Sequence, residues 1–431
     1  ISMSTLKVNK LRDTAGSADA IILDPDGGAV LAGVTTVTSV KVGAAVTISE
    51  SGIEASGIGI TCANINGTQI GGRRNIIING AMQIAQRGTS STSTGYQTVD
   101  RITTTTSGGI DNACTYAQVD VSSGTSPYTE GLRKAFKITN GDQTSIATND
   151  YVYFSYNLEA RDMQRCGWNY TSSSSFITLS FWVKSSVAQE FHGYLKTNDG
   201  TAQLYSFSTG SLTADTWTKV IKTIPGNSNL QFDSNTNTGL ILRIAGYMGT
   251  YRTGSLTQNQ WAAYNSSIRY PDFTNTWFDT NDATLEFTGL QLEVGPQATA
   301  FEHLCFGEEL SLCQRYFYKT YNYDDAPGTA DFTGTIHGRN YDTTSARSDN
   351  PVSLIFPTRM RADPTITWYA GDGQSGKYST GGGSIGGGLT GESTVGSSFI
   401  NSEIGLTAVS FSDSVAASTF YAFHITADAE I

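Results

Sequence analysis

The side chains most suited to chemistry in this chain are aromatics set beside polar turns. Trp368, Tyr369 and Tyr378 flank a glycine-rich stretch, and Tyr341 shares a second turn-rich run with His337 and Arg339. Sugars present apolar C–H faces rimmed by hydroxyls. Flat rings cover the faces while Asn, Asp and Arg bond the rim, so shallow aromatic sites suit carbohydrate. These six residues are the expected carbohydrate contacts. The same residue types also fill cores and contacts between copies, and spacing alone leaves that alternative open. Trp182 falls on the polar side of its strand, where a covering neighbour is expected rather than a sugar platform.

Other chemistries find little support. Residues 371–378 read G-x-x-x-x-G-K-Y. A phosphate-cradling loop needs Ser or Thr after the lysine to hold Mg²⁺, and a helix whose N-terminus binds the phosphate. Both are missing from the pattern. Residues 24–28, DPDGG, make part of a calcium loop but lack the third oxygen ligand and the distant glutamate, so a type I turn is expected. His192, His303, His337 and His424 have no zinc-like spacing. His424 alternates with Phe423 and Ile425 and reads as a satisfied interior residue, and His337 reads as exposed. Glu308 and Glu309 open a helix, where the dipole favours negative charge. Asp324 and Asp325 sit among tyrosines in a turn. Glycoside hydrolysis needs two carboxyls held at a defined separation across a cleft, which sequence spacing does not encode. No G-x-S-x-G and no Cys/His pair offers a nucleophile. No catalytic residue, metal or cofactor is therefore assigned.

Positioning such residues falls to β-structure. Hydrophobic content of 38% and charged content of 15% are both low, and 46 glycines help fill the gap, as in short strands joined by turns. Ile177, Leu179, Phe181 and Val183 share one face of a strand, with Thr178, Ser180, Trp182 and Lys184 on the other. Val152, Phe154, Tyr156 and Leu158 repeat the pattern, as do Leu240, Leu242 and Ile244. Turns are expected at Asn140-Gly141, Asp199-Gly200 and Pro225-Gly226, and one brief helix at 159–165. Residues 73–303 thus read as a jelly-roll β-sandwich.

The stretch 285–320 ends that domain. Leu285 and Phe287 point one way, and Leu290, Leu292 and Val294 follow one residue out of phase, so a β-bulge is expected at Gly289. Gly295-Pro296 stops the ladder. A helix is expected over 308–317, with Leu310, Cys313 and Phe317 on one face. Residues 304–431 read as a second β-sandwich, with strands expected at 316–323, 331–337, 353–356, 365–369, 407–411 and 419–426. The glycine-rich run 371–392 should be a long exposed loop, and loops on a rigid sandwich often carry binding.

Residues 3–72 contain no aromatic side chain, yet Val-x-Val and Ile-x-Ile recur. One chain of this kind offers too little burial to offset its ordering entropy. Three copies sharing an apolar axis would form a slender shaft, and that reading is favoured over a linker. The net charge of −11 and the absence of a basic stripe exclude nucleic acid as a natural partner. Five cysteines without a CxxC read as free buried thiols in a reducing cytoplasm. No apolar run matches a membrane span, so membrane insertion is not expected, and no leader is visible.

Three segments carry a resemblance. GLQLEVGPQATAFEH with GEELSLCQRYFYK (289–303 and 307–319), RNIIINGAMQIAQRGTSSTSTGYQTVDR (74–101) and ITLSFWVKS (177–185) are similar to parts of tail-fibre and receptor-binding proteins of tailed bacteriophages, notably marine and cyanobacterial ones. They bracket roughly residues 73–320; the last hundred or so residues match no family pattern. The resemblance implies a homotrimer in the virion, assembled in the host cytoplasm, with a slender N-terminal part (1–72) attached to tail or baseplate proteins. It implies a carbohydrate-binding-like jelly roll (73–303), a distal tip (304–431) and a host-surface glycan as the target. Two alternatives are carried beside it: a capsule depolymerase, and a purely structural baseplate or neck fibre.

Overall fold

The computed structural model describes residues 73–431 except positions 108, 350–352, 382–388, 390, 395–399 and 408–409, together with six short strands before residue 73. Those six make two antiparallel meanders: β1 (Lys10–Arg12), β2 (Asp19–Leu23) and β3 (Ala29–Leu31), then β4 (Ser39–Val42), β5 (Val46–Ser49) and β6 (Gly52–Ala55). The rest of the expected shaft, including the DPDGG turn and Cys62, lies outside the described residues. Residues 1–63 form one compact unit and residues 64–431 another.

The chain is mainly β. The strands β7 (Ser90–Ser91), β8 (Ile102–Thr106), β9 (Thr115–Asp120), β10 (Lys134–Thr139), β11 (Tyr151–Glu159) and β12 (Phe176–Ser185) are followed by β13 (Glu190–Thr197), β14 (Gln203–Ser211), β15 (Thr218–Pro225), β16 (Thr238–Met248), β17 (Trp261–Ala263) and β18 (Thr284–Val294). They build two six-stranded antiparallel sheets, ordered β15-β12-β18-β10-β9-β7 and β17-β14-β13-β16-β11-β8. The short helices α1 (Ser126–Thr129), α2 (Ala160–Arg165) and α3 (Thr276–Asp279) lie in the connections. Strict alternation places Ile177, Leu179, Phe181 and Val183 of β12 in one core with Val152, Phe154, Tyr156 and Leu158 of β11. Each such side chain contributes about 1.5–3 kcal/mol on burial. Trp182, on the opposite face of β12, packs with Leu132, Trp217 and Phe301, and its indole N–H donates to Glu130 at 2.9 Å.

Gly289 makes the expected bulge. Ser180 pairs with Gln291 and Trp182 with Thr288, so one residue of β12 faces two of β18. Gly289 has φ +63°, a left-handed conformation that glycine adopts without penalty. The slip keeps Leu285, Phe287, Leu290 and Leu292 all on the core side. The segment beginning at Arg73 runs beside this bulge. Leu290 N–H donates to Gly80 O, Ile76 N–H to Leu292 O, and Asn75 bonds the backbone of Leu290 and Leu292.

The chain continues through α4 (Phe306–Gln314), β19 (Phe317–Lys319), β20 (Ile336–Arg339), β21 (Arg347–Asp349), β22 (Leu354–Ile355), β23 (Thr365–Tyr369), β24 (Lys377–Gly381), β25 (Gly391–Thr394), β26 (Ile400–Ser402), β27 (Gly405–Thr407), β28 (Ser410–Val415) and β29 (Phe420–Asp428). β29 is the hub: β20 and β24 pair with its first half, β19 and β23 with its second. Two small sheets, β22-β27-β26 and β21-β28, complete this part. The helix is shorter than the expected 308–317. Phe317 is drawn instead into β19 opposite Asp428, and Ala429 N–H donates to Tyr316 O. The expected strand 316–323 likewise stops at Lys319. Among the described residues, no helix is long and apolar enough to cross a membrane. The four described cysteines are free; Cys114 and Cys313 are buried, Cys166 is half-buried and Cys305 is exposed, against the expectation of burial throughout.

Candidate functional site

The alternation that fills the core also fixes what faces outward. On β11 the outward residues are Tyr151, Tyr153, Ser155 and Asn157; on β13 they are His192, Tyr194 and Lys196; on β16, Arg243 and Ala245. The register brings Arg243 opposite both Ser155 and Tyr194. The Arg243 guanidinium donates from Nε to Ser155 Oγ at 2.9 Å and lies 4.1 Å from the Tyr153 ring centre and 5.5 Å from that of Tyr194. Tyr151 and Tyr153 stack at 5.5 Å with an interplanar angle of 22°. The result is a continuous aromatic and cationic strip on the outer face of the second sheet.

Residues 249–273 cross part of this face as a roof. Asn259 N–H donates to Ser206 O and Tyr264 N–H to Ala202 O, both on or beside β14. Tyr270 packs on Tyr194 at 5.1 Å and Phe273 on His192 at 4.8 Å. On the inner side of the roof Tyr270 is fully buried with its hydroxyl unpartnered, and burial pushes its ionisation well above the ordinary tyrosine range. Burial also lowers the pKa of His192, whose Nδ1 lies 3.2 Å from Gln258 Nε2. The open part of the face comprises Tyr151, Tyr153, Lys196 and Arg243, bordered by Tyr264 and Arg269 of the roof, all half-buried. Lys196 Nζ lies 4.8 Å, and the Arg269 guanidinium 5.7 Å, from the Tyr264 ring centre. At the Tyr151 end a cavity of about 230 Å³ is lined by Ser107, Asp150, Tyr251 and Arg252 among others.

Sequence reasoning located the inward half of β11 and passed over the outward half. The signal was present: in a strand whose even positions fill the core, Tyr151 and Tyr153 must face out. Their pairing with Arg243 and Tyr194, nearly a hundred and about forty residues away, depends on strand order, which local patterning does not carry.

The six expected contacts do not come together as one site. Trp368 is 5% exposed and packs edge-on against Phe423 at 4.8 Å, and Tyr378 is 0% exposed in the same core. Neither offers a ring face to solvent, because the hub strand draws both flanking strands onto the core. Tyr369 is half-buried, 6.0 Å from Tyr321. His337 and Arg339 are exposed on β20, and Tyr341 is 81% exposed. The Arg339 guanidinium lies 5.9 Å from the Tyr341 ring and 5.0 Å from Phe420. These three make a small surface strip.

The remaining candidates resolve structurally. In 371–378 the amides of Gly371, Gly373 and Gly376 donate to Ser379 Oγ, Ala370 O and Trp368 O, and the run leads into β24 rather than a helix. It is a turn in which these three glycine N–H groups are already used. The glycines of 382–388 lie outside the described residues. His424 is fully buried, stacks on Tyr321 at 3.7 Å, and has Thr320 Oγ1 and Asp331 O near its two ring nitrogens at 3.0 and 3.1 Å. Glu309 does more than meet a helix dipole: it is buried and its carboxylate accepts from Asn79 N–H. Asp324 lines a cavity of about 560 Å³ together with Gln83, Gln118, Arg133, Lys134 and Tyr323; among the described residues no other acidic side chain lines it. Among the described residues no cluster of three or more His, Cys, Asp or Glu could hold a metal.

No protein-family model matches the chain, and no curated protein does. Solved structures similar to it include the enzymatically active domain of tailspike protein 4 of bacteriophage CBA120, at 8% identity and TM-score 0.27, covering 51% of this chain and 21% of that one. The chain therefore spans about a fifth of that tailspike domain. A putative sugar binding protein from Bacteroides thetaiotaomicron is similar at 12% identity and TM-score 0.27, covering 51% of this chain and 99% of that one. The family 11 carbohydrate-binding module of Clostridium thermocellum, solved with a β-1,3-1,4-mixed-linked tetrasaccharide, is similar at 11% identity and TM-score 0.21, covering 50% and 99%. Similarity at this level leaves function to be argued from the chain's own residues.

Proposed function

We propose that this protein is a phage tail fibre that recognises host-surface polysaccharide, and that the open strip on the second sheet is its glycan platform. One observation carries the reading: Tyr151 and Tyr153, stacked and half-buried beside the Arg243 guanidinium, set aromatic rings next to a fixed donor on a rigid strand. That combination suits a sugar's C–H face and hydroxyl rim. Binding at one such strip is shallow, so several copies on one fibre raise the effective affinity.

The test is binding of the full chain to a panel of bacterial surface polysaccharides by affinity electrophoresis, comparing Tyr153→Ala with the parent. A loss of about tenfold, or roughly 1.4 kcal/mol, is expected. Undiminished binding with unchanged thermal melting would remove the strip from the argument. Tyr341→Ala belongs in the same series: a loss there, with none in Tyr153→Ala, would move the contact to the His337, Arg339 and Tyr341 strip. Hydrolysis would need two carboxyls spaced across a cleft, and among the described residues Asp324 has no acidic partner in its cavity. Release of new reducing ends during the assay would overturn recognition without cleavage.

A further inference from the structure

We infer that the open strip is built for an acidic glycan, one carrying carboxylate or sulfate groups, rather than a neutral one. This rests on the reading of the strip as a glycan platform. Lys196, Arg243 and Arg269 gather on it, and among the described residues none of the three is in an ion pair. Several cations elsewhere are neutralised: Arg315 by Glu159, Arg101 by Glu430, Lys184 by Glu286, Lys219 by Glu130. In a chain of net charge −11, three adjacent unpaired cations run against the average.

The nearby carboxylates are engaged elsewhere. Asp150, at the cavity end, is buried and accepts from Ser107 Oγ at 3.0 Å and Ala147 N–H at 2.7 Å. Asp272, on the roof, accepts from Thr253 Oγ1 at 2.5 Å. Arg243 is held by Ser155 through Nε, and its two Nη groups have no acceptor among the described residues and are not sealed from solvent. A guanidinium fixed by its inner edge, with its outer donors free, matches the two oxygens of a carboxylate or sulfate. Burial first, then repulsion from Arg243 and Arg269, lowers the Lys196 pKa. An anion bound between these groups would relieve that repulsion.

The experiment titrates the full chain by calorimetry with four polysaccharides: alginate for carboxylate, a carrageenan for sulfate ester, and dextran and xylan as neutral controls. Expected is binding to one or both charged polymers at least tenfold tighter than to the neutral ones, weakening as salt screens the contacts. Arg243→Gln and the more exposed Lys196→Gln should each lose roughly tenfold for the charged polymer, the weight of one charge-assisted hydrogen bond. Tyr153→Ala should lower binding of every polymer that binds at all. Which charged polymer binds identifies the anion. Equal binding of neutral and charged polymers, without salt dependence, would overturn this inference and leave the platform standing. Salt-dependent binding that Lys196→Gln and a folded Arg243→Gln leave unchanged would place the anion elsewhere and overturn it too. No binding by any polymer would overturn both.

Discussion

Gly289 shows how much one residue can hold in this fold. Its left-handed φ of +63° lets β18 slip by one position and keep all its apolar side chains inward. A Cβ there would stand 2.7 Å from Leu132 Cδ1 and 3.3 Å from Trp182 Cδ1. Gly289→Ala should therefore lower stability by about 2 kcal/mol, combining the left-handed penalty with the crowding. Gly307, in the first turn of α4, is the control. Nothing lies within 4 Å of a Cβ built there, so Gly307→Ala should be neutral or stabilising by a few tenths of a kcal/mol, roughly the helix-propensity gain at a helix end. Urea midpoints of the two variants decide it, and equal destabilisation would deny the bulge its role. Gly289 was legible in advance because a phase change in an apolar run has few other causes. His424 was legible for a similar reason, lying between two core residues. Tyr378 was not: inside the glycine-rich run 371–392 it has the setting of a loop aromatic, and only the pairing of β24 with β29 puts it in a core.

At the level of elements, what local periodicity carries was legible and what long-range pairing decides was not. β11 and β12 follow strict alternation, since each has one face on the sandwich core. β29 has no clean alternation because both its faces are covered, and nothing local announces that four strands converge on it. The end of α4 was misjudged for the same reason. Gln314 to Phe317 could continue a helix by pattern, but the chain is captured by Asp428 on one side and Glu159 on the other. Glu159, at the end of β11, is fully buried. It accepts from Arg315 Nε at 2.9 Å, Arg315 Nη2 at 2.8 Å and Tyr316 Oη at 2.7 Å. This contact ties α4 to the sandwich. Arg315→Met would leave a buried carboxylate with the Tyr316 hydroxyl and Arg161, at 3.8 Å, but without its close cation. A loss of about 3 kcal/mol is expected. Adding Glu159→Gln to Arg315→Met should recover part of it, and a double-mutant cycle by denaturant melting reads the coupling directly. Additive losses would mean that the two groups act independently.

For the whole molecule the open question is how many copies work together. The strip on the second sheet is shallow and half-exposed, so a single copy would hold a polysaccharide weakly. Residues 3–72 carry no aromatic side chain, and a lone copy would gain too little burial to offset the entropy of ordering them. Both facts fit the arrangement we propose, in which three N-terminal parts share one apolar axis and three strips act together. The expected mass in solution is three times 46.0 kDa, falling to a single copy when residues 1–72 are removed. Residues 64–431 form their own compact unit, so the shortened chain should stay folded and keep its single-site affinity. Its adsorption to cells should nonetheless drop by on the order of a hundredfold, because linked sites gain through effective concentration and unlinked ones do not. Light scattering and adsorption must therefore change together. A shortened chain that remains trimeric would move the assembly contact out of the first 72 residues. One that becomes single-copy yet adsorbs as well as the parent would show that a single strip suffices, and multivalency would fall from the account.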